Sequence, residues 1–268
     1  MDNRPIGMFD SGVGGMTVFL EVMKNFPNED IIYLGDTKRF PYGSKSTETI
    51  IELSKKAIEF LISKNVKLII IACGTATSQA LEAVRKIYKI PIIGIIEGTI
   101  EDIKKDKPNK VGVIATAGTI KTKAWENEII KNIENAEVIS EACPLLAPMA
   151  EEGWIDNDVA KYTIKEYMKP FKNKKIDKLI LGCTHYPLFE EFIKEELGEQ
   201  VELINTGKLV AKKVKQILSE TNNLNEEQVV FEKKYQIFVT DQEPALETMT
   251  NLILEDEKMK ERIEEVRI

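Results

Sequence analysis

The sequence predicts an α/β protein made of two parallel-sheet halves that face each other across a cleft. Two observations carry this. Short β-branched runs alternate with longer amphipathic stretches, and two of those runs end alike, as Leu68-Ile-Ile-Ile-Ala-Cys73-Gly-Thr75 and Lys178-Leu-Ile-Leu-Gly-Cys183-Thr184-His185. The chain has 268 residues, 43% hydrophobic and 30% charged, enough for one large core or two smaller ones.

In chain order the strand candidates are 5–9, 31–34, 68–72, 92–95, 111–115, 137–140, 179–182 and 201–204. Most read as near-continuous apolar runs, the pattern of parallel strands buried on both faces. Between them, stretches such as 47–63 and 119–132 carry apolar residues at three- and four-residue spacing, with lysine and glutamate on the other side. Each is expected to be a helix covering one face of a sheet. The paired cysteine-ended runs then give one thiol per half, at the strand end where open α/β sheets bind ligands. The first crossing is expected near Glu97 and the return near Asn205, so that one domain is 1–96 plus 207–268 and the other 97–206.

Acidic residues outnumber basic ones, 44 to 37, and the net charge of -7 is spread along the chain. This argues against nucleic acid as a partner, since phosphate binding needs a basic face. The start, Met1-Asp2-Asn3-Arg4-Pro5, lacks the apolar core of a signal peptide, and runs such as Leu68 to Cys73 are too short to cross a bilayer. A cytoplasmic protein with no membrane partner is expected. The three cysteines, Cys73, Cys143 and Cys183, form no C-x-x-C pair and have no zinc-type histidine spacing, so free thiols and no metal are expected.

The segment from Phe9-Asp10-Ser11-Gly12 through Gly14-Gly15 to Thr17 follows a strand and opens a helix, the geometry of an anion cradle. Thr17 stands where a dinucleotide fingerprint needs glycine, and the lysine of a phosphate loop is missing. Asp10, at a strand end facing the cleft, suits proton or ammonium work. A thiol titrates near 8.5 and is tuned by helix N-termini and nearby charges, so thiol and thiolate can coexist near neutrality. Two thiols on opposite sides of an α-carbon supply an acid and a base for inverting it. His185, two residues after Cys183, could hold its thiolate or relay its proton. Cys143 has no matching partner run and reads as structural. Pro41-Tyr42-Gly43-Ser44 has the turn residues of a binding loop.

Taken together, Phe9-Asp10-Ser11-Gly12-Val13-Gly14-Gly15, Tyr33-Leu34-Gly35-Asp36, Pro41-Tyr42-Gly43, Ala72-Cys73-Gly74-Thr75-Ala76 and Gly182-Cys183-Thr184-His185-Tyr186-Pro187 resemble, in order, the motifs of the glutamate racemase family. The resemblance implies two flavodoxin-like domains around a buried site, no cofactor or metal, a homodimer, and supply of D-glutamate for peptidoglycan. By motif, Cys73 would deprotonate D-glutamate and Cys183 L-glutamate, assisted by Asp10 and His185 respectively. Substrate contacts are implied at Asp10, Ser11, Tyr42, Gly43, Gly74, Thr75, Thr184 and His185. Glu151, after Pro148-Met149-Ala150, is similar to an acidic position behind the site.

One departure is Gly74, where most of the family carries asparagine. The loss of that side-chain amide leaves only backbone there, with Thr75 or Thr77 expected to compensate. The chain also lacks the N-terminal extension of members that resemble the precursor-activated type, which predicts activity without a nucleotide activator. Three rivals stand beside this reading. They are an aspartate racemase of the same superfamily, a two-lobed amino-acid-binding protein without chemistry, and a thiol redox enzyme, which needs cysteine Cα atoms roughly 4.4 to 6.8 Å apart.

Overall fold

A computed structural model describes residues 2–225, 235–242, 244–254, 257–260 and 262–268. Its strands are β1 (Ile6–Asp10), β2 (Ile31–Gly35), β3 (Leu68–Ile71), β4 (Ile92–Gly94), β5 (Lys110–Ala115), β6 (Glu137–Ala142), β7 (Lys178–Leu181), β8 (Glu202–Asn205), β9 (Tyr235–Val239) and β10 (Ile263–Glu265). They form a six-stranded sheet, β10-β9-β2-β1-β3-β4, and a four-stranded sheet, β6-β5-β7-β8, parallel at every pairing. This is the two-sheet α/β architecture the alternating pattern predicts.

The two sheets repeat one order. Counting from the first strand of each half, β2-β1-β3-β4 and β6-β5-β7-β8 both run second, first, third, fourth, the flavodoxin-like winding. Strand order therefore reverses between β1 and β3, and again between β5 and β7, and a ligand crevice opens at such a switch point. The middles of the central strands are apolar because helices cover both faces. Ile69, Ile70 and Ile71 of β3 and Leu179, Ile180 and Leu181 of β7 are fully buried, each side chain contributing about 1.5–3 kcal/mol by leaving water.

Two elements differ from the sequence-based expectation. The stretch 119–132 is not one helix but two, Ala117–Thr122 and Ala124–Asn132. Lys123 breaks it in the left-handed region at φ 54°, while Thr122 Oγ1 accepts from Ala124 N at 3.2 Å. The strands β9 and β10 were not expected, because both carry polar residues and β10 is a half-exposed edge. They extend the first sheet beyond β2.

At the amino ends of the first sheet lies a buried ion pair. Lys67 Nζ donates to both carboxylate oxygens of Glu29, at 2.8 and 2.7 Å, and to the carbonyls of Asp2 and Asn223. Fully hydrogen-bonded in this way, the pair ties down the segment that follows the helix Thr206–Glu220. The opposite, carboxyl ends of both sheets are left to form the cleft. Among the described residues, no helix is long and apolar enough to cross a membrane.

Candidate active site

Both cysteine-ended runs open onto one cleft of about 710 Å³ of empty space, continuous with solvent. Ser11, Tyr42, Gly43, Cys73, Gly74 and Thr75 line it from the first half, and Cys183, Thr184 and His185 from the second. Asp10 and Glu151, also singled out by the sequence, lie behind this wall.

Cys73 follows β3 and caps the helix Gly74–Ile87, its Sγ accepting from Ala76 N at 3.4 Å and lying 3.4 Å from Ser11 Oγ. Helix N-termini ordinarily favour a thiolate. Here burial outweighs that, joined by the charge of Asp10, and the thiol is pushed up to about 12. Cys73 is therefore held as a thiol near neutral pH.

Asp10 is fully buried at the end of β1. Its Oδ2 accepts from Gly12 N and Gly15 N, both at 3.1 Å, while Oδ1 makes no hydrogen bond within the described residues. This narrows the anion-cradle reading, because the amides of Gly12 and Gly15 are taken by the protein's own carboxylate. Burial raises the Asp10 carboxyl to about 6, against the pull of His185 and of those two amides. It is poised to gain or lose a proton near neutrality.

Cys183 sits in a different setting. Its Sγ is 3.7 Å from His185 Nδ1, and His185 Nε2 is 2.7 Å from Glu151 Oε1, in the order thiol, imidazole, carboxylate. Burial disfavours the imidazolium, but the bonds to Cys183 and Glu151 overcome it and lift His185 to about 10. The ring is a buried cation at neutral pH, steadied on one side by Phe40, 5.6 Å between centroids. Thr184 is fixed from the other half, its carbonyl accepting from Thr17 Oγ1 at 2.9 Å.

Gly74 lies where the two halves pack closely. A Cβ placed there would overlap the carbonyl oxygen of Gly182, backbone against side chain with nothing flexible to yield. Glycine here lets the two cysteine-bearing turns touch. Of the expected compensators, Thr75 lines the cleft, whereas Thr77 does not, its hydroxyl donating to the Ile71 carbonyl at 3.1 Å. Cys143 is buried away from the cleft, and its carbonyl accepts from Tyr186 at 2.7 Å.

Sequence reasoning missed the contribution of β5. Thr116, immediately after it, lines the cleft, with its Oγ1 2.9 Å from Thr75 Oγ1 and 3.0 Å from Thr119 Oγ1. The signal was available, since Thr116 ends the first strand of its half as Asp10 ends β1. Phe40, Pro144 and Ala147 add apolar wall that no motif marked, beside Pro148.

Residues 20–214 match the family model of the Asp/Glu/hydantoin racemases. The chain is 43% identical over 262 residues to a glutamate racemase of Sulfurihydrogenibium sp., covering 97% of each chain, and 44% identical over 216 residues to that of Geobacter metallireducens, covering 80% of each. A crystal structure of the Francisella tularensis glutamate racemase in complex with D-glutamate superposes with a TM-score of 0.91 at 39% identity, covering 100% of this chain and 98% of that one. A Picrophilus torridus aspartate racemase, at 17% identity and a TM-score of 0.57, shares the fold alone. The chain thus belongs to the Asp/Glu/hydantoin racemase family, among its glutamate racemases, and is an isomerase of the racemase type.

Proposed function

We propose that the protein interconverts L- and D-glutamate by a two-base proton transfer between Cys73 and Cys183, without a cofactor. The observation that carries this is a single cleft lined by two thiols, each at the carboxyl end of the third strand of its own sheet. One thiolate takes the α-proton from one face of the carbon while the other thiol delivers a proton to the opposite face, so one proton enters, one leaves and the configuration inverts. Cys73 serves D-glutamate as base and Cys183 serves L-glutamate, each acting as acid in reverse. Asp10 assists Cys73, and His185, held by Glu151, assists Cys183.

The cleft suits a zwitterion. The substrate ammonium offsets negative charge on the buried thiols, and hydroxyls of Ser11, Thr75, Thr116 and Thr184 can donate to carboxylates without a fixed cation. Backbone at Gly43 and Gly74 and the ring of Tyr42 complete the grip. Negative charge that builds on the substrate as the α-proton leaves meets the N-terminus of the helix Gly74–Ile87, which favours it. We further read the chain as two domains, 1–96 plus 207–268 and 97–206, working as a cytoplasmic homodimer that supplies D-glutamate for peptidoglycan.

The test is L-glutamate in D2O with protein freed of metal and pyridoxal phosphate, following α-proton exchange by NMR and optical rotation together, with L-aspartate in parallel. Exchange and loss of rotation with glutamate alone is expected. Exchange with aspartate alone would replace the substrate, and tight binding without exchange would favour a binding protein.

A further inference from the structure

We propose that Asp36, which lies outside the cleft lining, is a positioning residue for racemisation, setting the wall formed by Pro41, Tyr42 and Gly43; this rests on the glutamate reading of the cleft. Asp36 follows β2 and is fully buried, its backbone N donating to the Asp10 carbonyl at 3.0 Å. Its Oδ2 accepts from the Tyr42 hydroxyl at 2.6 Å, and its Oδ1 from Arg39 Nη1 at 2.7 Å and Thr240 Oγ1 at 2.8 Å. One carboxylate therefore fastens the start of the loop, its cleft-facing residue and the end of β9.

The Tyr42 hydroxyl is thereby excluded from the chemistry. Burial and then the charge of Asp36 push its titration far above the usual phenol range, and its single proton is already donated. Tyr42 presents its ring to the cleft, at a position fixed by Asp36. Thr240 is held in turn, accepting from Lys38 N at 3.0 Å, while Thr37 Oγ1 donates to the Asp241 carbonyl at 2.7 Å and accepts from its amide at 2.8 Å.

The wall is also wedged against the second half. A Cβ on Gly43 would stand 2.9 Å from Thr116 Cβ, and one on Gly118 would stand 2.7 Å from the Gly43 carbonyl oxygen. A displacement of this loop changes the distance across the cleft, and with it the fit of bound substrate. The proton carriers Cys73 and Cys183 sit on other strands, so the loss falls on binding and not on proton transfer.

The experiment compares Asp36→Asn, Tyr42→Phe, Thr240→Val and Thr240→Ser in both reaction directions. For Asp36→Asn, KM rises about tenfold or more for each enantiomer, with kcat within about threefold of wild type. Thr240→Val moves KM the same way by less, and Thr240→Ser, which keeps the hydroxyl, restores it. Asp36→Asn with Tyr42→Phe costs less than the product of the two single losses, because both variants act on the Tyr42–Asp36 bond. A fall in kcat at unchanged KM, no rescue by serine, or multiplicative losses overturns the proposal. Should Asp36→Asn fail to fold, the Thr240 pair decides. Should the wild-type chain not turn over glutamate, the substrate reading fails separately, and amide hydrogen exchange of residues 37–44 still tests the positioning. Faster exchange in Thr240→Val, reversed in Thr240→Ser, is expected; equal exchange in both overturns it.

Discussion

Cys73 and Cys183 stand at the same place in two sheets of the same strand order, yet what surrounds them differs. Cys73 has a helix N-terminus and a hydroxyl in front and the buried carboxyl of Asp10 behind, and is held as a thiol. Cys183 has a buried imidazolium at 3.7 Å, backed by Glu151. One half therefore holds a protonated thiol and the other a buried imidazolium, so the two sides of the cleft are chemically unlike. The equilibrium constant of a racemisation in water is one, so kcat/KM must be equal in the two directions. Asymmetry is free to appear only in kcat, KM and isotope effects taken singly.

Removing either thiol breaks the comparison most completely. Cys73→Ala and Cys183→Ala should each lower kcat/KM for racemisation by about 10³-fold or more, since positioned acid–base groups contribute on the order of 10²–10⁴. In D2O, Cys183→Ala should still exchange the α-proton of D-glutamate in preference to L-glutamate, and Cys73→Ala the reverse. Exchange of the same enantiomer by both variants would mean that the assigned faces are wrong.

The meeting point of the halves comes next. Gly74→Asn puts a side chain into the Gly182 carbonyl, so the two turns must part before glutamate can be gripped from both sides. A 1 Å misplacement costs about 10²-fold in a reaction that depends on positioning, and a loss of about 10- to 100-fold in kcat/KM is expected. The kinetics of this one variant decide the matter. A large improvement in KM would show that the missing amide, and not the close approach, governs binding here.

Much of this was legible beforehand. Parallel sheets followed from buried runs such as Leu68-Ile-Ile-Ile, whose central strands have no face for a charge, and the paired thiols followed from two runs ending alike. What could not be read were contacts set by how the halves dock. Nothing local in Thr116 says that it will meet Thr75, and the Gly74 contact is a property of Gly182, over a hundred residues away. The glycine-rich turn misled for the converse reason. The amides of Gly12 and Gly15 are satisfied within the turn by Asp10, bonds that a motif does not display.

The charge beside Cys183 can be tested on its own, because His185 is the only histidine in the chain and its ring protons give one NMR titration. In the wild type no titration is expected between pH 6 and 9, as the ring stays charged up to about 10. Glu151→Gln withdraws one of the two supports and should bring the titration down toward neutrality, with a loss of about tenfold in kcat/KM. An unchanged titration would assign the whole support to Cys183.

The smallest effect concerns Asp10, and it sets activity against stability over the same pH range. Burial raises its carboxyl to about 6, from an ordinary 3.8. Only the anion can accept a proton relayed from Cys73, so on the proposed mechanism kcat/KM should fall as pH drops below about 6, and Asp10→Asn should abolish that limb. For stability the sign is opposite. Between 3.8 and about 6 the folded chain binds more protons than the unfolded one, so stability declines as pH rises through this window. At pH 7 the anion is therefore a cost to the fold. Asp10→Asn, whose amide oxygen can still accept from Gly12 and Gly15, should gain on the order of 1–3 kcal/mol by denaturant unfolding, less whatever its unpaired amide donors lose. A gain that vanishes at pH 4, where the wild-type carboxyl is already neutral, would tie the strain to the charge that the reaction uses.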